Sequence, residues 1–268
     1  MLRAAMLQMN VVRNKTENLR HAREMLLRLA GADVDLAVLP EMFCCPYSNL
    51  CFRDYSEETG GQAWQMLSAT ARELGIYLIG GSMPERDGDK IYNTSYVFDR
   101  TGAQIARHRK VHLFDVEIDG GQRFWESRTL SPGDEITVFD TEFGKIGLCI
   151  CFDMRFQELA KEMGDRGAEL IVVPAAFNMT TGPAHWELLF RQRAVDNQLF
   201  TMGVAPTRNE QEKYVSYANS ILVDPWGSVL ERAGIGEEIL IAEIDFERCT
   251  SIRRQLPIRA ARRRDIYQ

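Results

Sequence analysis

Strand-like and helix-like segments alternate along most of the chain, and this alternation restricts the fold more than any single residue does. Residues 3–12 (RAAMLQMNVV) read as a strand, and 15–30 as a helix with apolar positions at Leu19, Met25, Leu26 and Leu29. The run VDLAVLPE (34–41) is apolar until it ends in a carboxylate, as expected of a strand buried on both faces. A helix near 61–74 precedes IYLIGGSMPE (76–85) and IYNTSYVFD (91–99), and DRTG (99–102) has the make-up of a hairpin turn. A loop-rich stretch, 111–134, leads to ITVFDTEFGKIGLCICFD (136–153), which reads as a second hairpin turning near 142–145. After it come a helix at about 155–166, the strand ELIVVPAAF (169–177) and a helix at 183–199 opened by Pro183. The strands FTMGVAP, YANSILVDP and EILIAEID follow, with Pro225-Trp226-Gly227 as a turn.

No repeat, low-complexity segment or linker interrupts this order, so one domain over residues 1–268 is expected. Mixed strands with helices outside them make a layered α/β structure; periodicity leaves open whether the strands form one sheet or two. With 45% hydrophobic residues in 268, there is enough apolar surface for a sizeable core. The net charge of −6 argues against nucleic acid as the main partner. No apolar run reaches the roughly 20 residues of a bilayer span, and Met1–Asn10 lacks the cleavage site of a signal peptide, so no membrane association and a cytoplasmic location are expected. Six cysteines, at 44, 45, 51, 149, 151 and 249, include no C-x-x-C pair, which removes zinc-ribbon and thioredoxin-like readings. A disulfide framework is not expected of a cytosolic chain.

Glu41, Lys110 and Cys151 share a placement: each ends an apolar or strand-like segment (VDLAVLPE, AQIARHRK and KIGLCIC). Ligands in open α/β sheets bind outside the carboxyl ends of strands, where distant parts of the chain converge. The three residue types also make a coherent set. A thiol near its ordinary pKa of ~8.5 is mostly protonated at neutral pH and needs activation before it attacks a carbonyl carbon. A carboxylate can take its proton, and an ammonium can stabilise thiolate or the oxyanion that forms. Taken singly, each residue has a plainer reading: Cys151 as a packed core thiol, Glu41 as a cap or surface ion-pair partner, and Lys110 as part of a solvated basic run.

The motifs LPEMF around Glu41, RKVHLFD around Lys110 and GLCICFDMRFQE around Cys151 resemble the carbon–nitrogen hydrolase (nitrilase) superfamily, in its order and approximate spacing. The likeness continues through FNMTTGPAHWELL (177–189), RAVDNQ (193–198), NSILVDPWGSVL (219–230) and RRRDIYQ (262–268), and within the superfamily it is nearest to the omega-amidase branch. The resemblance implies a four-layer αββα sandwich and a homodimer or higher homo-oligomer. It implies hydrolysis of the terminal amide of a small carboxylate substrate such as 2-oxoglutaramate through a cysteine thioester, with no metal or cofactor. Carried onto this sequence, Glu41 is the general base and acid, Lys110 the oxyanion-stabilising cation and Cys151 the nucleophile. The Phe152 backbone N–H is a second oxyanion donor, and Glu126 in FWESRTLSPG orients the lysine and substrate. Cys149 stands where relatives commonly have glycine or alanine; it is assigned to packing.

For the substrate carboxylate, Arg155 is the candidate, through a bidentate contact; the competing reading is an internal ion pair with Glu158 or Asp196. Tyr47, Phe177 and Thr181 are candidates for the pocket wall, against a core role for Phe177 and a helix-capping role for Thr181. His185 in GPAHWELL invites a Cys–His hydrolase reading, against which stands a capping or hydrogen-bonding histidine at a helix start. The segment 252–268 carries six arginines against one aspartate, and self-pairing with acidic groups of its own or a partner subunit is expected in place of nucleic-acid binding. Two further classes stay open: a deaminated-glutathione amidase or N-carbamoyl amine/amino acid hydrolase with the same triad, and a non-catalytic binding protein on this fold.

Overall fold

The computed structural model describes residues 1–266. The first half of the chain builds one sheet and its helices. β1 (Leu2–Gln8) leads to α1 (Lys15–Leu27), whose N-cap Asn14 accepts from the Glu17 backbone N–H. β2 (Leu36–Val38), α2 (Asn49–Asp54), α3 (Gln62–Leu74) and β3 (Tyr77–Ile79) follow. β4 (Met83–Asp87), β5 (Lys90–Phe98) and β6 (Gln104–Arg109) then form a meander. A short ribbon, β7 (Asp115–Glu117) and β8 (Arg123–Trp125), leads into a 3₁₀ turn at Glu126–Arg128.

The second half begins with the hairpin β9 (Thr137–Thr141) and β10 (Gly144–Leu148), then a 3₁₀ turn at Cys151–Arg155 and α4 (Gln157–Asp165). β11 (Leu170–Pro174), α5 (Gly182–Asn197), β12 (Phe200–Val204), β13 (Ile221–Val223) and β14 (Val229–Arg232) complete this sheet. β15 (Glu238–Ile244) crosses back to pair with β1, ahead of α6 (Glu247–Gln255).

The strand pairing answers the question periodicity left open: there are two principal sheets. One has seven strands in the order β15-β1-β2-β3-β5-β4, with β6 also paired to β5; the other has six, β14-β13-β12-β11-β10-β9. They pack face to face through Ala4, Met6, Leu36 and Val38 on one side and Ile146, Leu148, Val172 and Met202 on the other. The alternate residues Ala5, Leu7, Ala37 and Leu39 turn outward onto α1 and α3, while Ile171 and Val173 turn onto α4 and α5. Both faces of these strands are thus buried, which is why they read as unbroken apolar runs. The result is a four-layer αββα sandwich.

Several expected segments end earlier in the structure than in the sequence reading. The strand expected at 76–85 breaks at Gly80-Gly81 because Gly81 has φ +58 and a Cβ there would lie 2.1 Å from the Pro40 carbonyl oxygen. The loop-rich stretch 111–134 also holds the short β7–β8 ribbon and the turn bearing Glu126. Most consequential is β10, expected to run to Cys151. It stops at Leu148, and the Ile150 N–H turns to the Asp153 carboxylate, 3.0 Å away. Cys151 then adopts φ +48, a left-handed conformation that non-glycine residues seldom take.

Candidate active site

Glu41 lies just beyond β2, Lys110 directly after β6 and Cys151 at the head of its 3₁₀ turn. The fold brings the first two into direct contact with Glu126 and Tyr47 at a fully buried centre. Lys110 Nζ donates to Glu41 Oε1 at 3.0 Å, Glu126 Oε1 at 3.0 Å and the Tyr47 hydroxyl at 3.3 Å, which accounts for its three protons. The Tyr47 hydroxyl donates to Glu126 Oε1, and the other oxygen of Glu126 accepts from the Phe114 backbone N–H at 2.6 Å.

The backbone around each charge is fixed as well. Asn93 on β5 donates its side-chain amide to Glu41 Oε1 (2.9 Å), and its carbonyl accepts from the Lys110 N–H (2.8 Å). On the other side, Gly133 N–H donates to the Lys110 carbonyl at 2.8 Å, and a Cβ at Gly133 would stand 2.2 Å from the Arg109 carbonyl oxygen. Below Glu41, the Met42 N–H donates to Ser82 Oγ at 3.0 Å. The second oxygen of Glu41, Oε2, is buried and has no hydrogen-bond partner among the described residues.

Burial sets the ionisation of this centre. It works against the charge on Lys110, but the adjacent carboxylates of Glu126 and Glu41 outweigh it and hold the ammonium above its usual range. Burial also raises Glu41, with Lys110 pulling the other way and Glu126 adding to the rise. It pushes the Cys151 thiol well up, with the Glu41 charge reinforcing the shift and Lys110 opposing it. Burial and the neighbouring charges thus favour the thiol form of Cys151 and the ammonium form of Lys110.

A cavity of about 280 Å³ opens beside this centre, with Glu41, Tyr47, Phe124, Ala176 and Tyr214 in its wall. Tyr214 is a residue the sequence reading missed. Its ring stacks on Tyr47 with centroids 4.4 Å apart, and its hydroxyl donates to the Ala176 carbonyl at 2.5 Å. It lies between β12 and β13 in a segment without periodicity, so no pattern marks it. Asn93 did leave a signal: an amide inside the apolar run IYNTSYVFD.

The other candidates form a second group on the turn after Cys151 and the start of α5; none of them lines that cavity. Arg155 is half-buried, and burial lowers its pKa while the Cys151 and Tyr214 groups act in the opposite sense. No ion pair to Arg155 occurs among the described residues; Asp196 pairs with Arg193 at 3.5 Å. The guanidinium sits over the Phe177 ring at 4.7 Å and the Phe152 ring at 5.6 Å, and donates to His185 Nδ1 at 3.1 Å. Phe177 belongs to the core on its other face, edge-on to Trp186. Thr181 holds the N-cap position of α5 without a side-chain cap bond, and its hydroxyl reaches Asn178 Oδ1 at 3.3 Å. His185 bonds Arg155 and has no bond to Cys151. Phe152 is the second residue of its 3₁₀ turn, where backbone N–H groups have no partner within the helix. Cys149 is buried in the core of the second sheet.

The arginine-rich end is partly self-paired. Arg259 donates to the Gly164 carbonyl, Arg262 to the Asp196 carbonyl, and Arg263 pairs with Asp265; residues 267–268 lie outside the described residues. Among the described residues no helix is long and apolar enough to cross a membrane.

A four-layer αββα sandwich of this topology is the architecture of the nitrilase superfamily. The model of the carbon-nitrogen hydrolase family matches residues 3–254, and the chain belongs to that family. It is 48% identical to omega-amidase NIT2 of Mus musculus and 46% identical to omega-amidase NIT2 of Danio rerio, in each case over 99% of this chain and 96% of the relative. Among solved structures it is similar to Nit3 of Saccharomyces cerevisiae, a member of branch 10 of the nitrilase superfamily, with a TM-score of 0.90 and 43% identity over 98% of this chain and 96% of that one.

Proposed function

We propose that this chain is an omega-amidase, releasing ammonia from the terminal amide of a small oxo-acid amide such as 2-oxoglutaramate. The observation that carries the reading is a pairing of two features. The proton-exchanging Glu41–Lys110–Glu126 centre adjoins the Cys151 turn, and that same turn presents Arg155, a guanidinium with no acid partner among the described residues. The first suits an amide carbonyl and the second a carboxylate at the far end of the same small molecule.

In the proposed sequence, Glu41 takes the Sγ proton as sulfur bonds to the amide carbon. Lys110 and the Phe152 N–H hold the oxyanion; the Lys110 bond to Tyr47, its longest at 3.3 Å, is the one free to be exchanged for the substrate oxygen. As the tetrahedral intermediate collapses, the C–N bond breaks and Glu41 returns the proton to the departing nitrogen, giving ammonia and a Cys151 thioester. Water then attacks the thioester while Glu41 accepts its proton. The acid leaves and the thiolate recovers its proton from Glu41. Glu126 keeps the ammonium charged and aimed throughout.

The reading includes a homodimer. Leu188 on α5 and Trp226 in the β13–β14 turn are 60% and 57% exposed on neighbouring elements, an apolar patch that a second copy would cover. A cytoplasmic location suits the six unpaired cysteines. The test is an ammonia-release assay comparing 2-oxoglutaramate, deaminated glutathione and N-carbamoyl amines. The highest kcat/KM is expected with 2-oxoglutaramate; a clear preference for either other class would replace the substrate assignment. Wild-type turnover by Cys151→Ala would sink the scheme itself.

A further inference from the structure

We propose that Asp153 is a positioning residue, one carboxylate that clamps the strained turn carrying Cys151 to the strand end carrying Lys110. The proposal rests on the reading of Cys151 and Lys110 as reacting groups. Asp153 is fully buried and receives four N–H donors: Ile150 N at 3.0 Å, His108 Nε2 at 3.0 Å, His112 N at 2.8 Å and His112 Nδ1 at 2.9 Å. Ile150 immediately precedes the nucleophile. His108 and His112 stand two residues either side of Lys110. A single side chain thus reaches the immediate flank of one reacting residue and both flanks of the other.

Each donor is itself held. His108, also fully buried, places Nδ1 3.0 Å from the Thr137 hydroxyl on β9, next to the strand that leads into Cys151. The His112 ring stacks on Phe156, just after the nucleophile turn, with centroids 3.6 Å apart and planes 10° from parallel. Because a carboxylate only accepts, both imidazoles must turn an N–H toward Asp153, which fixes their tautomers. Burial works against charge on Asp153, yet the His108 and His112 bonds outweigh it and hold the carboxyl well below its usual range.

The clamp has a physical task. A left-handed conformation is unfavourable for a non-glycine residue and persists only where its surroundings over-determine it. Cys151 is such a residue, and the bond from Ile150 N–H to Asp153 ends β10 and turns the chain into that conformation. Without it, Ile150 N–H can rejoin the ladder direction and the thiol shifts relative to Glu41 and Lys110. A misplacement of ~1 Å at a reacting group costs about 100-fold in rate.

The test uses the full-length enzyme with its best amide substrate. Asp153→Asn keeps the volume and one acceptor but points an amide N–H at the Ile150 and His108 donors. It is expected to lower kcat by about 100-fold, with a smaller change in KM. His108→Leu should act in the same sense, and His108→Gln, whose amide N–H can stand where Nε2 stands, should recover most of the loss. Wild-type kcat in Asp153→Asn, or equal kcat in the two His108 variants, overturns the clamp. So does a loss that merely tracks the unfolded fraction by circular dichroism. If Asp153→Asn does not fold, the His108 pair decides alone. Should the wild-type enzyme release no ammonia, or Cys151→Ala remain active, the functional reading fails and not the clamp.

Discussion

Lys110 Nζ lies 3.0 Å from Glu126 Oε1, and this contact joins a strand end to a 3₁₀ turn sixteen residues further along the chain. Glu126 cannot drift, because its second oxygen is bound by the Phe114 N–H and its first also accepts from Tyr47. Glu126→Gln removes the charge that most raises the Lys110 pKa while keeping the shape. It should lower kcat by about 100-fold or more, the scale seen on removing an oxyanion stabiliser, with a smaller change in KM. Steady-state kinetics on the soluble variant checks this, and an unchanged kcat would remove Glu126 from the site.

The pH dependence follows from Glu41 and Cys151. Glu41 must be ionised to accept the thiol proton, and burial raises its carboxyl above the ordinary 4.5. Activity is therefore lost as pH falls through this raised value, and the acid limb of kcat/KM should have its midpoint above 4.5. Burial raises the Cys151 thiol well above its ordinary range, so its alkylation by iodoacetamide in the free enzyme should still be accelerating beyond pH ~8.5. An alkylation rate that levels off near neutrality would contradict the protonated resting thiol.

Arg155 and His185 separate two mechanisms. Arg155→Gln should raise KM for carboxylate-bearing amides by about 10- to 100-fold, the worth of a charge-assisted hydrogen bond, and spare small neutral amides. His185→Ala should keep most of kcat, since His185 touches Arg155 and not the thiol, while Lys110→Ala abolishes turnover. The reverse pattern, with His185 essential and Lys110 dispensable, would establish a Cys–His hydrolase.

Leu188→Asp combined with Trp226→Asp places charges in the exposed apolar patch of α5 and the β13–β14 turn. Sedimentation velocity should then show the variant at half the mass of the wild type. Identical sedimentation of the two proteins would move the interface elsewhere.

The sequence alone determined an alternation of strands and helices and a resemblance to one family. Short apolar runs such as VDLAVLPE and ELIVVPAAF fit strands buried on both faces, and the motifs around Glu41, Lys110 and Cys151 resemble one family in order and spacing. Those signals are local: side-chain polarity repeating over a few residues, and residue types at short spacing. Tertiary structure decided what depends on contacts between distant segments. It divided the strands into two sheets, because pairing such as that of β1 with β15 joins residues more than two hundred positions apart. It stacked Tyr214 on Tyr47, left Arg155 without an acid partner among the described residues, and stopped β10 at Leu148. That last step has the plainest physical cause. Propensity carries an apolar run such as KIGLCIC on to its end, but a buried carboxylate that can gather four N–H donors outcompetes one ladder bond, and Asp153 takes the Ile150 N–H for itself.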